Sequence, residues 1–199
     1  HYGLADYNKS LNHYRQSLKI RLQLKDTLGV ASLYNKIGLV HQNTFKMDSA
    51  IFYATKALKI YEDKNNLRYA AAIKNNIANI YNGLKQYDKA LKSHLEIAKV
   101  NENIKDYKAL TRSYNNIANA YLFLKDTVKC VEYYKKSIEL ATSNAFESEL
   151  ATLYNNYGGI LKSQGDIKDA INMISKSLKI RHKLKNNHGV SSSALNLGG

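Results

Sequence analysis

The sequence predicts an all-α protein built from repeated antiparallel helical hairpins, and three observations support this fold class. Positions forty residues apart carry a large apolar residue: Ile37, Ile77, Ile117, Tyr157 and Leu197. The residue that follows is small in each case: Gly38, Ala78, Ala118, Gly158 and Gly198. The chain contains no proline and only 10 glycines among 199 residues, so few positions interrupt a helix. Agreement at one fixed period indicates a repeat array.

The repeat period describes a single array that spans residues 1–199. Its four full repeats are 27–66, 67–106, 107–146 and 147–186. Residues 1–26 form the end of one broken repeat, and residues 187–199 form the start of another. Because both ends fall inside a repeat and the chain begins at His1, we expect this chain to be a fragment of a longer protein.

The second helix of each repeat, helix B, is recognised by the period of its apolar residues. Its copies are 6–25, 46–65, 86–105, 126–145 and 166–185. A small residue such as Ala170 precedes an apolar one, Ile171, and further apolar residues recur seven and nine positions later, at Leu178 and Ile180. These offsets fit a 3.6-residue period and predict an amphipathic helix.

The first helix of each repeat, helix A, lies between the B segments. Its copies are 28–44, 67–84, 107–124, 147–164 and a truncated copy from 187. Four copies follow a residue suited to N-capping, namely Asp26, Asn66, Asp106 and Asn186, whereas Phe146 precedes the fourth copy. Turns from A to B are only a few residues long, so each helix A is expected to pack antiparallel to its own helix B.

One face of helix A carries the residues expected to pack. If Arg112 is counted as position 2 of its helix, positions 4, 7, 8 and 11 fall together and hold Tyr114, Ile117, Ala118 and Tyr121. Helix B then adds a small residue, Cys130, and an aromatic one four places on, Tyr134. This order of large, apolar, small and aromatic residues resembles the tetratricopeptide repeat, and the resemblance extends over essentially the entire chain.

The period of forty residues, instead of the usual 34, and the absence of proline distinguish this chain from the common form of the repeat. It is similar to the long tetratricopeptide repeats of bacterial signalling proteins, including sensor histidine kinases and peptide-sensing regulators, and of kinesin light chains. The resemblance implies a right-handed superhelix, or α-solenoid, whose A helices line a concave groove. It also implies a non-catalytic module for protein or peptide binding, as the sensory or scaffolding region of a larger bacterial signalling protein.

Asparagine is concentrated on the face of helix A opposite the packed face. The candidate groove residues are Asn75, Asn76, Asn79, Asn82, Asn115, Asn116, Asn119, Asn155 and Asn156. Asparagine is not a strong helix former, so this concentration needs a reason. A carboxamide both donates and accepts hydrogen bonds, as does the backbone of an extended peptide. We therefore expect a groove that reads a peptide main chain; the alternative is that the amides bond to one another and brace neighbouring helices.

Arg112 is the candidate residue for ligand specificity. It stands on the asparagine-bearing side of helix A in the third full repeat, where its guanidinium would hold an acidic side chain or a terminal carboxylate. Leu122 and Phe123 on the same helix would add an apolar pocket. The competing interpretation is that Arg112 is simply solvated, as most single basic residues are.

Two other partners are considered as alternatives. The net charge of +14 suggests nucleic-acid binding through lysines on the outer, convex side, but the tyrosines that would stack on bases occupy packing positions, so this partner is not favoured. Self-association is the second alternative, because the broken end repeats leave apolar residues such as Leu195 and Leu197 uncapped.

Enzymatic activity is not expected, and no cofactor, metal site or catalytic residue is predicted. Cys130 stands where the other B helices carry a small residue, so it is interpreted as a packing thiol. The histidines do not show the spacing of metal ligands. No apolar run is long enough to span a membrane. The sequence leaves the compartment open, with the cytoplasm favoured over others.

Overall fold

The computed structural model describes the backbone of residues 4–198 and the side chains of residues 6–196. The expectations for the side chains of Leu197 and Gly198 lie outside this described part. Within it, the chain forms α1 (Leu4–Gln23), α2 (Thr27–Asn43), α3 (Met47–Asp63), α4 (Leu67–Gly83), α5 (Tyr87–Asn103), α6 (Tyr107–Phe123), α7 (Thr127–Ser143), α8 (Glu147–Ser163), α9 (Ile167–Lys183) and α10 (Asn187–Gly198). The even-numbered helices are the predicted A helices and the odd-numbered helices are the predicted B helices, so the all-α prediction is confirmed.

The chain divides into two compact units, His1–Ile104 and Lys105–Gly199. In the first unit, α1 to α5 pack each against the next along the chain. In the second unit, α6 to α10 do the same, and the A helices α6, α8 and α10 also approach one another. Each unit is therefore made of antiparallel A–B hairpins stacked on their neighbours, as the short turns predict.

The turns between helices are closed by a residue in the left-handed conformation. These residues are Lys25, Phe45, Asn65, Lys85, Lys105, Lys125, Ala145, Gly165 and Lys185. After α6, the amide of Asp126 donates to the carbonyl of Tyr121 at 2.9 Å and the amide of Lys125 donates to that of Leu122 at 3.0 Å. This bond pair is a Schellman motif, which ends a helix with a left-handed residue. Only Gly165 among these residues is a glycine, so the motif is not evident from the sequence.

The predicted N-caps are confirmed at the four A helices that have them. The side-chain oxygen of Asp26 accepts from the amide of Gly29 at 2.9 Å, and Asn186 accepts from Gly189 at 2.9 Å. Asn66 and Asp106 act in the same way at the starts of α4 and α6. Phe146 provides no side-chain cap, because its side chain has no hydrogen-bond acceptor.

The small residue at position 8 of each A helix allows the B helix of the same hairpin to pack closely against it. A Cβ atom on Gly158 would lie 2.6 Å from Ile174 Cγ1 and 3.2 Å from the carbonyl oxygen of Ala170. Glycine therefore allows the backbones of α8 and α9 to approach. In the same unit, Tyr134 is fully buried and its ring lies 5.6 Å from that of Tyr157. Cys130 is also fully buried, and burial raises its thiol pKa to about 11, which agrees with a packing role.

Candidate peptide-binding face

The predicted asparagines lie on the side of the A helices that carries positions 2, 5, 6, 9 and 12, here called the asparagine face. In the first unit, Asn75, Asn76 and Asn82 are half-buried and Asn79 is exposed. In the second unit, the half-buried residues are Asn115, Asn116, Asn119 and Asn156, whereas Asn155 is buried and Arg112 is exposed. The asparagine face is thus partly accessible within each unit.

Hydrogen bonds link asparagines of consecutive A helices. In the second unit, Asn156 Nδ2 donates to Asn115 Oδ1 at 3.2 Å, and Asn196 Nδ2 donates to Asn155 Oδ1 at 3.1 Å. In the first unit, Asn76 Nδ2 donates to Asn35 Oδ1 at 3.2 Å. Each of these bonds, here called rungs, joins position 6 of one A helix to position 5 of the A helix before it. The bracing interaction considered from the sequence is therefore present.

A rung uses only part of the hydrogen-bonding capacity of its two amides. Each carboxamide has two N–H donors and an oxygen with two lone pairs, and one rung takes one donor from one residue and one lone pair from the other. A further hydrogen bond, from Asn115 Nδ2 to Asn116 Oδ1 at 3.4 Å, uses one donor of Asn115 and one lone pair of Asn116. Bracing and ligand binding are therefore compatible at the half-buried positions.

Asn155 differs from the other asparagines because it is only 7% exposed. Its Oδ1 accepts from Ser193 Oγ at 2.9 Å as well as from Asn196. The same Ser193 hydroxyl receives a bond from the buried guanidinium of Arg181 at 2.8 Å and lies 3.1 Å from Ser177 Oγ. This polar network holds α8, α9 and α10 together, so the main role of Asn155 in this structure is to join helices.

Asn119 connects the asparagine face to the core of its hairpin. Its Oδ1 accepts a hydrogen bond from the hydroxyl of Tyr134, which projects from α7 and is fully buried. Burial raises the pKa of Tyr134, so the hydroxyl keeps its proton and remains a donor. The amide group of Asn119 is thereby held in a defined orientation.

Arg112 is not simply solvated, because it is paired with Glu149. Its Nε donates to Glu149 Oε1 at 3.1 Å, and Lys108 Nζ lies 3.6 Å from the same oxygen. Glu149 is 8% exposed, whereas the Arg112 side chain is 64% exposed. The guanidinium has five N–H donors, so it retains donors beyond those used by Glu149. Glu149 was not among the predicted site residues, since the equivalent positions of the other repeats hold unrelated residues: Gly29, Tyr69, Ala109 and Gly189.

The lysines near the asparagine face also have partners within their own unit. Lys74 Nζ lies 3.0 Å from a carboxylate oxygen of Glu62, and Lys162 Nζ donates to the backbone carbonyl of Asn196 at 3.1 Å. Lys36 lies over the ring of Tyr14, with its Nζ 5.9 Å from the ring centre. These lysines therefore contact other helices of their unit instead of being simply solvated.

Lysines on the B helices cover the rings of tyrosines on the A helices. Lys56 Nζ lies 5.4 Å from the ring centre of Tyr34, and Lys176 Nζ lies 5.7 Å from that of Tyr154. These contacts occupy one face of each of the two rings.

Among the described residues, no group of three or more His, Cys, Asp or Glu side chains is arranged to hold a metal ion. Over the same part of the chain, no helix combines the length and the apolar character that a membrane crossing requires.

Comparison with solved structures shows the same fold in several proteins. Aspartyl phosphate phosphatase F from Bacillus subtilis is 19% identical, with a TM-score of 0.83 over 92% of this chain and 48% of that chain. A Rap protein complexed with competence and sporulation factor is 15% identical, with a TM-score of 0.80 over 95% of this chain and 53% of that chain. A kinesin light chain from Podosopora anserina is 10% identical, with a TM-score of 0.72 over 92% of this chain and 90% of that chain.

The chain spans about half the length of the first two of these structures. The comparison with curated protein sequences finds no match. Two family models, each described as a tetratricopeptide repeat, match residues 69–143 and residues 31–64 and 151–183. These matches fall in both units and in all four predicted full repeats. The chain therefore belongs to the tetratricopeptide repeat family.

Proposed function

We propose that this chain is a non-catalytic module that binds an extended peptide segment along the asparagine face, as the sensory or scaffolding part of a larger bacterial signalling protein. The tetratricopeptide fold is typically a protein-interaction module, which supports the general class of function. The observation that carries the finer proposal is the row of asparagines joined by rungs, because it sets amide donors and acceptors in line along consecutive A helices.

The rungs prepare the asparagine face for binding. A free asparagine side chain loses rotamer freedom when it binds a ligand, and that loss opposes affinity. Asn156 and Asn76 are already held by their partners on the preceding A helices. Each hydrogen bond to a peptide main chain contributes about 0.5–1.5 kcal/mol net, so several asparagines must act together and affinity is expected to be modest.

The relatives support a signalling context. One of them is a complex with competence and sporulation factor, so a protein of this fold binds that factor. Arg112 would add specificity for an acidic group of the peptide through the guanidinium donors that Glu149 leaves unused. Because Glu149 fixes one edge of the guanidinium, Arg112 would meet the ligand in a defined orientation.

The proposal is tested by binding to an array of random 15-residue peptides. The wild-type chain is compared with a variant that carries Asn76→Ala, Asn116→Ala and Asn119→Ala. The control carries three changes at exposed asparagines of B helices: Asn12→Ala, Asn103→Ala and Asn172→Ala. Circular dichroism is used to check that all three proteins are equally folded before their binding is compared.

We expect the wild type and the control to bind the same peptides and the asparagine-face variant to lose them. Equal binding by all three proteins would show that the asparagine face is not the site. If binding in addition disappeared at moderate salt, the lysine-rich B helices would become the site instead.

A further inference from the structure

Helix α8 contains a glycine on the asparagine face that the fold does not require. A Cβ atom on Gly159 would meet no other atom within 4 Å, and its backbone is not in the left-handed region. The neighbouring Gly158 is different, since a Cβ there would collide with Ile174. Glycine inside a helix is unfavourable relative to alanine, so Gly159 needs a reason other than packing.

The position of Gly159 suggests that reason. It occupies position 9 of its A helix, where α4 and α6 carry Asn79 and Asn119. Asn156 and Lys162 lie one turn to either side of it on the same face of α8. At this position α8 therefore presents bare helix backbone where the preceding A helix of its unit, α6, presents the amide of Asn119. Helix α8 is also the middle A helix of its unit and contacts both α6 and α10.

Two residues of the asparagine face in this unit offer apolar surface to a ligand. The ammonium of Lys162 is bonded to the carbonyl of Asn196 on α10, so its charge is engaged and its methylenes run from α8 towards α10. Leu122, at position 12 of the preceding A helix α6, packs against the core of the unit and is half-buried, so part of its apolar surface stays exposed. A long apolar side chain would gain more here than a charged one.

We propose that the gap at Gly159 receives a bulky apolar side chain of the bound peptide. This inference rests on the proposed peptide-binding function and adds a specificity-determining position to it. In an extended peptide the side chains point alternately to opposite sides, so the main chain bonds to asparagines while one side chain enters the gap. The absence of a Cβ on Gly159 gives that side chain its room.

The inference predicts opposite effects of Gly159→Ala on stability and binding. Alanine restores helix propensity in open space, so we expect the melting temperature to rise by about 2 °C. Gly159→Leu fills the gap more completely, and we expect it to weaken binding of the array-selected peptides by about tenfold or more, with a smaller loss for Gly159→Ala. Asn172→Ala on α9 is the matched control, since it improves helix propensity on an exposed B-helix site without touching the asparagine face.

The probes are the peptides selected by the wild type, each resynthesised with every position varied in turn. We expect one position to prefer large apolar residues with the wild type and to lose that preference with Gly159→Leu. If Gly159→Leu and Gly159→Ala keep both the affinity and the preference, the gap is not a binding position, although peptide binding itself stands. If the wild type selects no peptide at all, the proposed function is wrong and the inference falls with it.

Discussion

His94 is a buried histidine whose protonation should weaken the fold. It lies on α5 with 0% exposure, and neither ring nitrogen has a hydrogen-bond partner. The equivalent positions hold Tyr134 in α7 and Ile174 in α9, so this is a core position of the hairpin. Burial lowers the pKa of His94 from 6.5 to about 4, because a charged imidazolium would lose its hydration there.

The size of the effect follows from the two pKa values. Between pH 6.5 and pH 4 the unfolded chain binds a proton at His94 that the folded chain does not, so the free energy of unfolding falls as the pH falls through this window. The difference of about 2.5 units, at about 1.36 kcal/mol per unit, corresponds to about 3 kcal/mol at pH 4. That is a large share of the stability of an ordinary domain.

The assay is urea unfolding of the wild type and of His94→Ile at pH 7 and at pH 4. Carboxylates titrate in both proteins, so the difference between the two pH dependences isolates His94. We expect the variant to lose about 3 kcal/mol less than the wild type, and His182→Gln, at an exposed position, to behave as the wild type does. Identical pH dependence in the wild type and His94→Ile would refute the reasoning.

Three further changes have defined expectations in thermal or urea unfolding. Gly158→Ala should destabilise the chain by about 1–3 kcal/mol, because its Cβ has no room against α9; unchanged stability would contradict this packing. Arg112→Ala should cost about 1–3 kcal/mol by leaving the Glu149 carboxylate buried with a weaker partner, and the added change Glu149→Gln should restore most of the loss; no rescue would show that the pair does not act as a unit. Tyr134→Phe should cost about 1 kcal/mol by removing the donor to Asn119, and a smaller loss when Asn119 is already alanine would confirm that the two side chains are coupled.

The helices and their pairing could be predicted from the sequence because the repeat presents the same packing residues five times. The side-chain caps at Asp26 and Asn186 were equally evident, since cap chemistry is local. The conformation of the turns was harder to predict, because Lys125 and its counterparts adopt the left-handed conformation without being glycines. The left-handed conformation of these residues is imposed by the closure of the hairpin, and no single residue type in the sequence indicates it.

The sequence was sufficient to predict which face of the A helices carries the asparagines, but not which side chains these residues contact. The sequence placed the asparagines on one face and raised bracing as an alternative, yet the direction of each rung depends on the offset between neighbouring A helices. The Arg112–Glu149 pair could not be predicted because Glu149 stands alone in its column. The burial of Asn155 likewise depends on Ser193 and Arg181, which come from two other helices.

The central claim is that an extended peptide lies along the asparagine face, and photo-cross-linking tests it most directly. An array-selected peptide carrying a photoreactive side chain is irradiated with the wild-type chain, and the adducts are located by mass spectrometry. We predict adducts on α6, α8 and α10 in the second unit or on α2 and α4 in the first, around the asparagines. Adducts confined to the lysine-bearing outer surfaces of α3, α5, α7 and α9 would contradict the account.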